Sequence, residues 1–177
     1  MPGVVLDGGE SSLACSVMSA AAAAAGVVKE SDGVKAALQF VSTLLSELGK
    51  QPGPHAPVVS HGGALCRGLL MGAANTCPRV QLKQLANVLY TLIEGAGVEQ
   101  AAAWLQASLS DAALPGGGPD GWLQDEEKLA FARAAVLSPP LSRVQFEALV
   151  ASFAGVCRKE GAREALLSFG RAPAFQM

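Results

Sequence analysis

The stretch RVQLKQLANVLYTLIEGAGVEQAAAWLQASL, residues 79–109, decides the fold because it contains two amphipathic segments separated by a glycine-bearing turn. Apolar residues in the first segment recur at the spacing that lines one face of an α-helix; they are Leu82, Leu85, Leu89, Leu92 and Ile93. Gly95 and Gly97 end this helix. A second stripe follows at the same spacing, formed by Val98, Ala101, Ala102, Leu105 and Leu109. The stretch therefore predicts two antiparallel helices that pack as a pair.

The residues before this stretch predict another pair of helices. The first begins near Val34, with Asp32 as its N-cap and Gly49 as its C-terminal stop. Its apolar face comprises Val34, Ala37, Leu38, Val41, Leu45 and Leu48. A proline-bearing loop at 51–57 leads to the second helix, which ends before Pro78. The apolar face of that helix comprises Cys66, Leu69, Leu70, Ala73 and Cys77.

The residues after the stretch predict a third pair. A loop rich in glycine and proline occupies residues 114–121. The acidic residues at 125–127 suit the positive amino end of a fifth helix, which we expect to continue to about residue 137 despite a less regular apolar stripe. Prolines at 139–140 end it. Ser142 and Gln145 form a capping box for a sixth helix, whose apolar residues are Phe146, Leu149, Val150, Phe153 and Cys157.

The spacing of these pairs indicates a helical repeat. Their first helices start at Val34, Arg79 and Leu123, which are 45 and 44 residues apart. A period of about 40 to 47 residues with two helices in each unit is typical of HEAT-type solenoids. We therefore predict an all-α, HEAT/ARM-like solenoid of about three pairs, in which stacking buries the apolar face that one pair cannot bury alone. A compact six-helix bundle is the alternative architecture.

Composition supports an all-α chain without a membrane span. β-Branched and aromatic residues favour strands, yet Ile93 and Tyr90 are the only residues of their types. Half of the chain is apolar, but the longest apolar run, at 13–28, is shorter than the roughly 18 residues of a spanning helix. Acidic residues precede this run and no basic residue does, which argues against a signal or transit peptide. We expect a soluble protein of the cytoplasm and nucleus.

Three parts of the chain are predicted. Residues 1–31 are a low-complexity, alanine-rich leader, expected to be a weakly packed helix or a disordered or incorrectly joined start. Residues 32–169 are the repeat domain, which includes a short last helix at 160–169, and residues 170–177 are a tail. Solenoids normally protect their ends with a capping repeat. Because a truncated stack has only the alanine-rich leader as a partial cap, we expect the apolar face around Leu38, Val41 and Leu45 to be exposed.

No residues converge in a pattern that predicts catalysis, a metal site or a cofactor site. His55 and His61 are the only histidines, and His61 is five residues from Cys66, so the two side chains lie on different faces of a helix. The glycines at 62–63 and 116–118 lack the strand and the Lys-Ser/Thr of a phosphate loop, and are interpreted as turn glycines. Adjacent Asp125, Glu126 and Glu127 diverge around a helix, and are expected to be a solvated first turn.

Four cysteines, a basic cluster and two tryptophans complete the candidate residues. Spacing favours buried free thiols over a zinc site or disulfides; the cysteines are Cys15, Cys66, Cys77 and Cys157. A net charge of −2 suggests no nucleic-acid or membrane partner. A basic cluster comprises Arg158, Lys159, Arg163 and Arg171. It has two interpretations: it binds an acidic or phosphorylated segment, or it is a solvated helix end. Trp104 and Trp122 are interpreted as packing or partial-interface residues.

Residues 36–169 resemble the C-terminal end of an importin-β superfamily receptor, most closely of the transportin-SR type. The resemblance rests on the run GALCRGLL at 63–70, the run LANVLY at 85–90 and several isolated positions. Those positions are Pro78, Trp104, Leu105, Leu109, Leu114, Pro115, Phe153, Cys157 and Arg158. In that branch the same positions similarly belong to the last HEAT repeats. These motifs concern helix packing, so the resemblance assigns no functional residue to this chain.

The resemblance implies a nuclear import receptor, which holds cargo on its concave face and releases it when Ran in its GTP form binds. The implied partners are protein cargo, including Arg-Ser-rich proteins, and nuclear pore proteins. Neither the amino-terminal Ran-binding repeats nor an arginine-rich cargo helix is matched, so a fragment of a receptor is expected. We predict a protein-binding segment that is not an enzyme and lines its binding surface with the second helix of each pair. A generic helical scaffold unrelated to transport is the alternative.

Overall fold

The structure is a computed structural model of the 177-residue chain and describes residues 31–49, 56–118, 121–137 and 140–171. The leader, Cys15, His55 and most of the tail lie outside the described residues. The described part contains seven α-helices and no strand, so the all-α prediction is confirmed. The helices are α1 (Ser31–Gly49), α2 (Ala56–Met71), α3 (Leu82–Ala96), α4 (Val98–Leu109), α5 (Asp125–Ala135), α6 (Arg143–Cys157) and α7 (Arg163–Gly170).

Most helix ends follow the local chemistry of the sequence. At the start of α6 the Gln145 backbone N–H donates to Ser142 Oγ at 3.3 Å, and the Ser142 N–H donates to Gln145 Oε1 at 3.0 Å, so the predicted capping box is confirmed. Gly97 has a φ of +80° and separates α3 from α4 by a single residue. The left-handed conformation suits glycine, which has no Cβ.

Two predicted boundaries at the amino end are wrong. Asp32 lies inside the first turn of α1 instead of capping it, because the helix already begins at Ser31. Pro57 lies in the first turn of α2 and not in a loop, since proline is tolerated where the helix has no use for its N–H. At its other end α2 continues into a π-helical turn at Gly72–Thr76, and a 3₁₀ turn at Arg79–Gln81 leads into α3.

The helices stack in two layers, as expected of a helical-repeat solenoid. In one layer α3 packs between α1 and α6; in the other, α4 packs between α2 and α5, and α7 follows α5. The third pair is inserted in the reverse order, because its first helix continues the layer of α4 and its second continues the layer of α3. The long connection between Leu109 and Asp125 permits this reversal, whereas the single Gly97 forces α3 and α4 into opposite layers.

One continuous apolar core lies between the layers. Phe131 of α5 and Phe153 of α6 meet with ring centroids 4.6 Å apart, and Tyr90 of α3 contacts Phe146 edge-on at 5.3 Å. The expectation that Leu38 and Val41 are exposed is wrong: both are 1% exposed, because α1 packs on α3 and adds its apolar stripe to the core.

Arg158 fastens the end of α6 to the end of α2. Its guanidinium donates to Ala73 O from Nε at 3.1 Å and from Nη2 at 2.7 Å, and also to Cys77 O at 2.7 Å. Ala73 lies in the π-helical turn and Cys77 directly follows it; the last carbonyls of a helix have no intrahelical N–H as partner. A hydrogen bond from a charged donor contributes roughly 1.5–3 kcal/mol. Arg158 thus couples the third pair to the first.

Replacing this guanidinium is expected to destabilise the fold. Arg158→Met should lower the free energy of unfolding by about 2–3 kcal/mol, because two carbonyls lose a charged donor while the apolar stem is kept. Urea denaturation followed by circular dichroism measures the change. The matched control is Arg171→Met, which removes an exposed arginine and should change the stability by less than about 0.5 kcal/mol. Equal effects of the two substitutions would contradict this role of Arg158.

Candidate protein-binding groove

A groove with a volume of about 510 Å³ lies between α4 and α5. Apolar side chains from both helices form most of its walls, and polar groups stand at its edges. The lining residues are Ala102, Gln106, Leu109, Ser110, Asp125, Lys128, Leu129, Ala132, Arg133 and Val136. An open apolar groove with a few polar groups is a typical binding surface.

Stacking on α2 holds one wall of the groove, α4, in place. The Trp104 ring of α4 lies directly on the backbone of α2 at Gly62 and Gly63 and is 7% exposed. A Cβ added to Gly62 would lie 2.6 Å from Cζ2 of this ring, and one added to Gly63 would lie 3.1 Å from Cδ1. The interpretation of these residues as turn glycines is therefore wrong. They lie within a helix and allow α4 to approach α2 closely.

The connection from α4 to α5 is anchored at its beginning by Asp111. Its carboxylate accepts from Arg67 Nε of α2 and, at 2.8 Å, from the backbone N–H of Ala113. The hydrogen bond from Arg67 and that from Ala113 hold the pKa of Asp111 below its usual range. Leu114 follows and is buried in the core. The loop is thus held against α2 before the chain turns towards α5.

Trp122 anchors the end of the same connection. Its indole N–H lies 3.2 Å from both Val156 O and Cys157 O, so it donates to carbonyls at the end of α6. The Lys159 ammonium lies 4.0 Å from the ring centroid. Gly116, with a φ of +77°, passes so close that a Cβ there would lie 2.8 Å from Cε2 of the ring. Trp122 is therefore a packing residue, one of the two readings that its sequence context left open.

The second wall of the groove, α5, has two apolar faces. One face is buried and comprises Glu127, Ala130, Phe131 and Ala134. The other lines the groove with Leu129, Ala132 and Val136, and Leu129 keeps 49% of its surface exposed. This second face explains why the apolar stripe of α5 is irregular in the sequence, because the residues of both faces are interleaved along one helix. Sequence reasoning missed the groove; the i, i+3, i+7 spacing of these three residues was the available signal.

The charged groups at the groove are unevenly paired. Lys128 Nζ lies 3.3 Å from Asp125 Oδ1 and 3.4 Å from Gly117 O, so this lysine is satisfied within the fold. Arg133 is exposed, and its side chain forms no hydrogen bond or ion pair with the other described residues. Asp125 and Arg133 are two turns apart on α5, so the groove has an acidic end beside a paired lysine and a basic end at Arg133.

A smaller cavity of about 190 Å³ adjoins the groove and shares Val136 with it. It lies between the α3–α4 turn and the connection that follows α5. Its lining residues are Tyr90, Ile93, Glu94, Gly97, Val98, Ala135, Val136, Leu137, Pro140, Leu141 and Phe146. Val98 is 57% exposed there. The apolar surface of the α4–α5 face therefore continues past the end of the groove.

The basic cluster of the sequence is largely used inside the fold. Arg158 caps α2, and Lys159 lies on Trp122, as described above. Arg163 donates to Trp122 O at 2.7 Å and pairs with Glu127 Oε1 at 3.1 Å. Each of these three side chains thus contacts a distant part of the chain, although Lys159 and Arg163 remain exposed, as expected of a solvated helix end. Arg171 is exposed.

The acidic trio is not a uniformly solvated first turn. Asp125 and Glu126 are exposed, but Glu127 is 2% exposed. Its carboxylate accepts the backbone N–H of Gln124 at 2.6 Å, completes a capping box and pairs with Arg163. The expectation is wrong for Glu127, because the contact with α7 arises only after folding.

The remaining candidates behave mainly as packing groups. Cys66, Cys77 and Cys157 are free and buried, as predicted. His61 is partly buried in α2, and Cys66 lies further along that helix in the core. No three His, Cys, Asp or Glu side chains among the described residues are grouped so that they could hold a metal ion. Nor does the described part of the chain contain a helix with the length and apolar character to cross a membrane.

Comparison with known proteins found one similarity, which covers residues 27–96. This segment matches the family described as the Importin 13 repeat. The match extends over α1, α2 and α3, and supports an importin-like helical repeat in this part of the chain. No curated protein and no solved structure matches the chain at a significant level.

Proposed function

We propose that this chain binds protein cargo in nucleocytoplasmic transport, with the α4–α5 groove as its main contact surface. The observation that carries the proposal is the match of residues 27–96 to an importin repeat within a two-layer helical stack. The open apolar groove in the layer of α2, α4 and α5 supports it, because a protein-binding repeat needs an accessible complementary surface. On this proposal the chain is not an enzyme and uses no cofactor.

The opposite face of the stack is a weaker candidate for cargo binding. Its charged side chains are engaged with one another between α3 and α6: Glu147 accepts from Asn87 at 2.9 Å and pairs with Lys83 at 3.4 Å. Arg143 lies over the Tyr90 ring at 4.8 Å. A surface whose polar groups already satisfy one another has less to offer a partner. The predicted contact surface of second helices also needs correction, because α6 lies on this opposite face and α5 takes its place.

The proposal also specifies a receptor branch, its partners and its cellular location. We propose a receptor of the transportin-SR branch, with Arg-Ser-rich cargo and nuclear pore proteins as partners, present in both cytoplasm and nucleus. The resemblance of residues 63–70 and 85–90 to that branch supports this assignment. A net charge of −2 favours protein partners over direct binding to nucleic acid.

A capture experiment with one variant on each face tests the proposal. The full chain is immobilised and exposed to nuclear and cytoplasmic extracts, and Arg-Ser-rich proteins and nuclear pore proteins are quantified by mass spectrometry. Leu129→Asp places a charge on the groove wall, and Val144→Asp places one on α6, where the valine is 74% exposed. We expect Leu129→Asp to reduce recovery at least ten-fold and Val144→Asp to leave it unchanged.

The control makes the outcomes distinct. Both substitutions replace an exposed aliphatic residue of a helix with aspartate, so they match in chemistry and differ in location. If the unmodified chain recovers neither class of protein, the transport proposal is wrong. Recovery of other proteins alone would favour a generic helical scaffold. Equal losses with both variants would exclude the groove as the contact surface.

A further inference from the structure

We propose that the α4–α5 groove receives a two-turn amphipathic helix of the protein partner, whose apolar side chains enter the groove and whose carboxylate pairs with Arg133. This inference rests on the proposed function and specifies the chemistry of the partner. It follows from the length of the groove, from the backbone of its walls and from the distribution of its charges.

The apolar walls have the length of two helical turns. On α4 they extend from Ala102 to Leu109, and on α5 from Leu129 to Val136. Seven residues of an α-helix rise by about 10 Å. A partner helix with apolar side chains at positions i, i+3 or i+4, and i+7 covers the same length. The small Ala102 and Ala132 side chains leave room between the walls, and the volume of 510 Å³ accommodates more than one large side chain.

The walls favour a helical partner over an extended one. An extended peptide needs partners for its backbone N–H and C=O groups, which are costly to remove from water without replacement hydrogen bonds. Both walls are helices, whose backbone groups are bonded within each helix. The uncharged polar side chains at the groove are those of Gln106 and Ser110. A helix satisfies its own backbone and needs only side-chain contacts here.

The charges select an acidic residue at one end of the partner helix. Lys128 is paired with Asp125, so the cation that remains available to a partner is Arg133. At the other end of α5, the paired Lys128 and Asp125 leave no free cation for a second carboxylate. A guanidinium binds a carboxylate through two parallel N–H groups, which makes Arg133 suited to that recognition. The arrangement of charges along the groove therefore sets the direction in which the partner helix binds.

Defined synthetic peptides test this inference with the full chain. The probe is a fluorescent, alanine-based 14-residue helix with leucines at i, i+4 and i+7 and one terminal glutamate on the leucine face. A twin carries lysine in place of this glutamate, and a third peptide has its leucines scrambled around the helix. Fluorescence anisotropy should show the glutamate peptide binding at least ten-fold more tightly than the lysine twin, with no binding of the scrambled peptide.

Substitution of Arg133 tests the assigned contact. Arg133→Glu should reverse the preference between the two peptides, and Arg133→Gln should abolish it; Val144→Asp should change neither affinity. Because Arg133 is exposed, circular dichroism should confirm that both variants remain folded. Equal binding of the glutamate and lysine peptides, or an unchanged preference in Arg133→Glu, would overturn the inference. Binding of the scrambled peptide would overturn it as well, since it indicates attraction of charge alone.

The two proposals fail in different ways. If the peptides do not bind although Leu129→Asp still abolishes cargo capture, the groove binds protein but not an acidic amphipathic helix, and this inference is wrong. If the peptides bind with the expected preference while no transport-related protein is captured, the groove chemistry is correct and the transport function is wrong.

Discussion

Raising the pH above 9 is expected to destabilise the fold steeply, because three buried thiols must stay protonated in it. Burial raises the pKa of Cys66 and that of Cys157 to about 12, and the pKa of Cys77 to about 11, from an ordinary value of 9.0. Each thiol is at most 2% exposed. The hydrogen bond of Cys66 with Ser108, and the charge of Arg158 near Cys77 and Cys157, lower these pKa values by less than burial raises them.

The direction of the effect follows from proton binding. Between pH 9 and about 10 the thiols of the unfolded chain lose their protons, whereas those of the folded chain keep them. The unfolded state then binds fewer protons, so the free energy of unfolding falls as the pH rises. Once the thiols of the unfolded chain are ionised, each thiol lowers the free energy of unfolding by about 1.4 kcal/mol per pH unit. Three thiols together lower it by about 4 kcal/mol per unit. Below pH 9 the thiols have no such effect.

Urea denaturation at half-unit steps from pH 7 to 11, in the presence of a reductant, measures this slope. The matched variant combines Cys66→Ala, Cys77→Ala and Cys157→Ala, and should be less stable at pH 7 but lose much less stability between pH 9 and 11. Because the two proteins differ only at these three cysteines, the difference between the two slopes isolates the thiols. Identical slopes would show that the buried thiols do not control alkaline unfolding.

Removal of the Trp104 ring is expected to have the second large effect. Trp104→Ala should lower the free energy of unfolding by about 3–5 kcal/mol, because a large buried side chain leaves a cavity between α2 and α4. Gly62→Ala should also destabilise the fold, by about 1–2 kcal/mol, because the new Cβ would lie 2.6 Å from ring atom Cζ2. Chemical denaturation gives both values.

Combining the two substitutions tests the packing directly. Once the ring is absent, Gly62→Ala should become stabilising by up to about 1 kcal/mol, since alanine favours helix over glycine. Gly95→Ala is the matched control: a Cβ there meets no atom within 4 Å, so it should be stabilising in both backgrounds. If Gly62→Ala destabilised the Trp104→Ala variant as much as the unmodified chain, the proposed contact between ring and backbone would be wrong.

Features that depend on a few neighbouring residues could be predicted from the sequence. The stripe of Leu85, Leu89 and Leu92 predicted α3, and Ser142 with Gln145 predicted the start of α6. Helical periodicity and capping are local, because they join residues three or four positions apart. A resemblance to importin-type repeats could also be seen in the sequence, and residues 27–96 match the Importin 13 repeat.

Features that depend on distant contacts could not be predicted. Gly62 and Trp104 are 42 positions apart (104 − 62), and Glu127 and Arg163 are 36 apart (163 − 127). Nothing near Gly62 indicates that a ring will cover it, and nothing near Glu127 indicates that it will be buried and paired. The candidate groove belongs to the same class, because Ala102 and Leu129 meet at one surface only when α5 lies beside α4.

The sequence by itself determined that this chain is all-α and, to within a few residues, where most of its helices lie. Only the tertiary structure decided that the third pair enters the stack in reverse order and that α5 presents a second apolar face. The physical reason is that helix formation is governed by short-range periodicity, whereas the layer a helix joins depends on the length of its connection and on contacts with residues far along the chain.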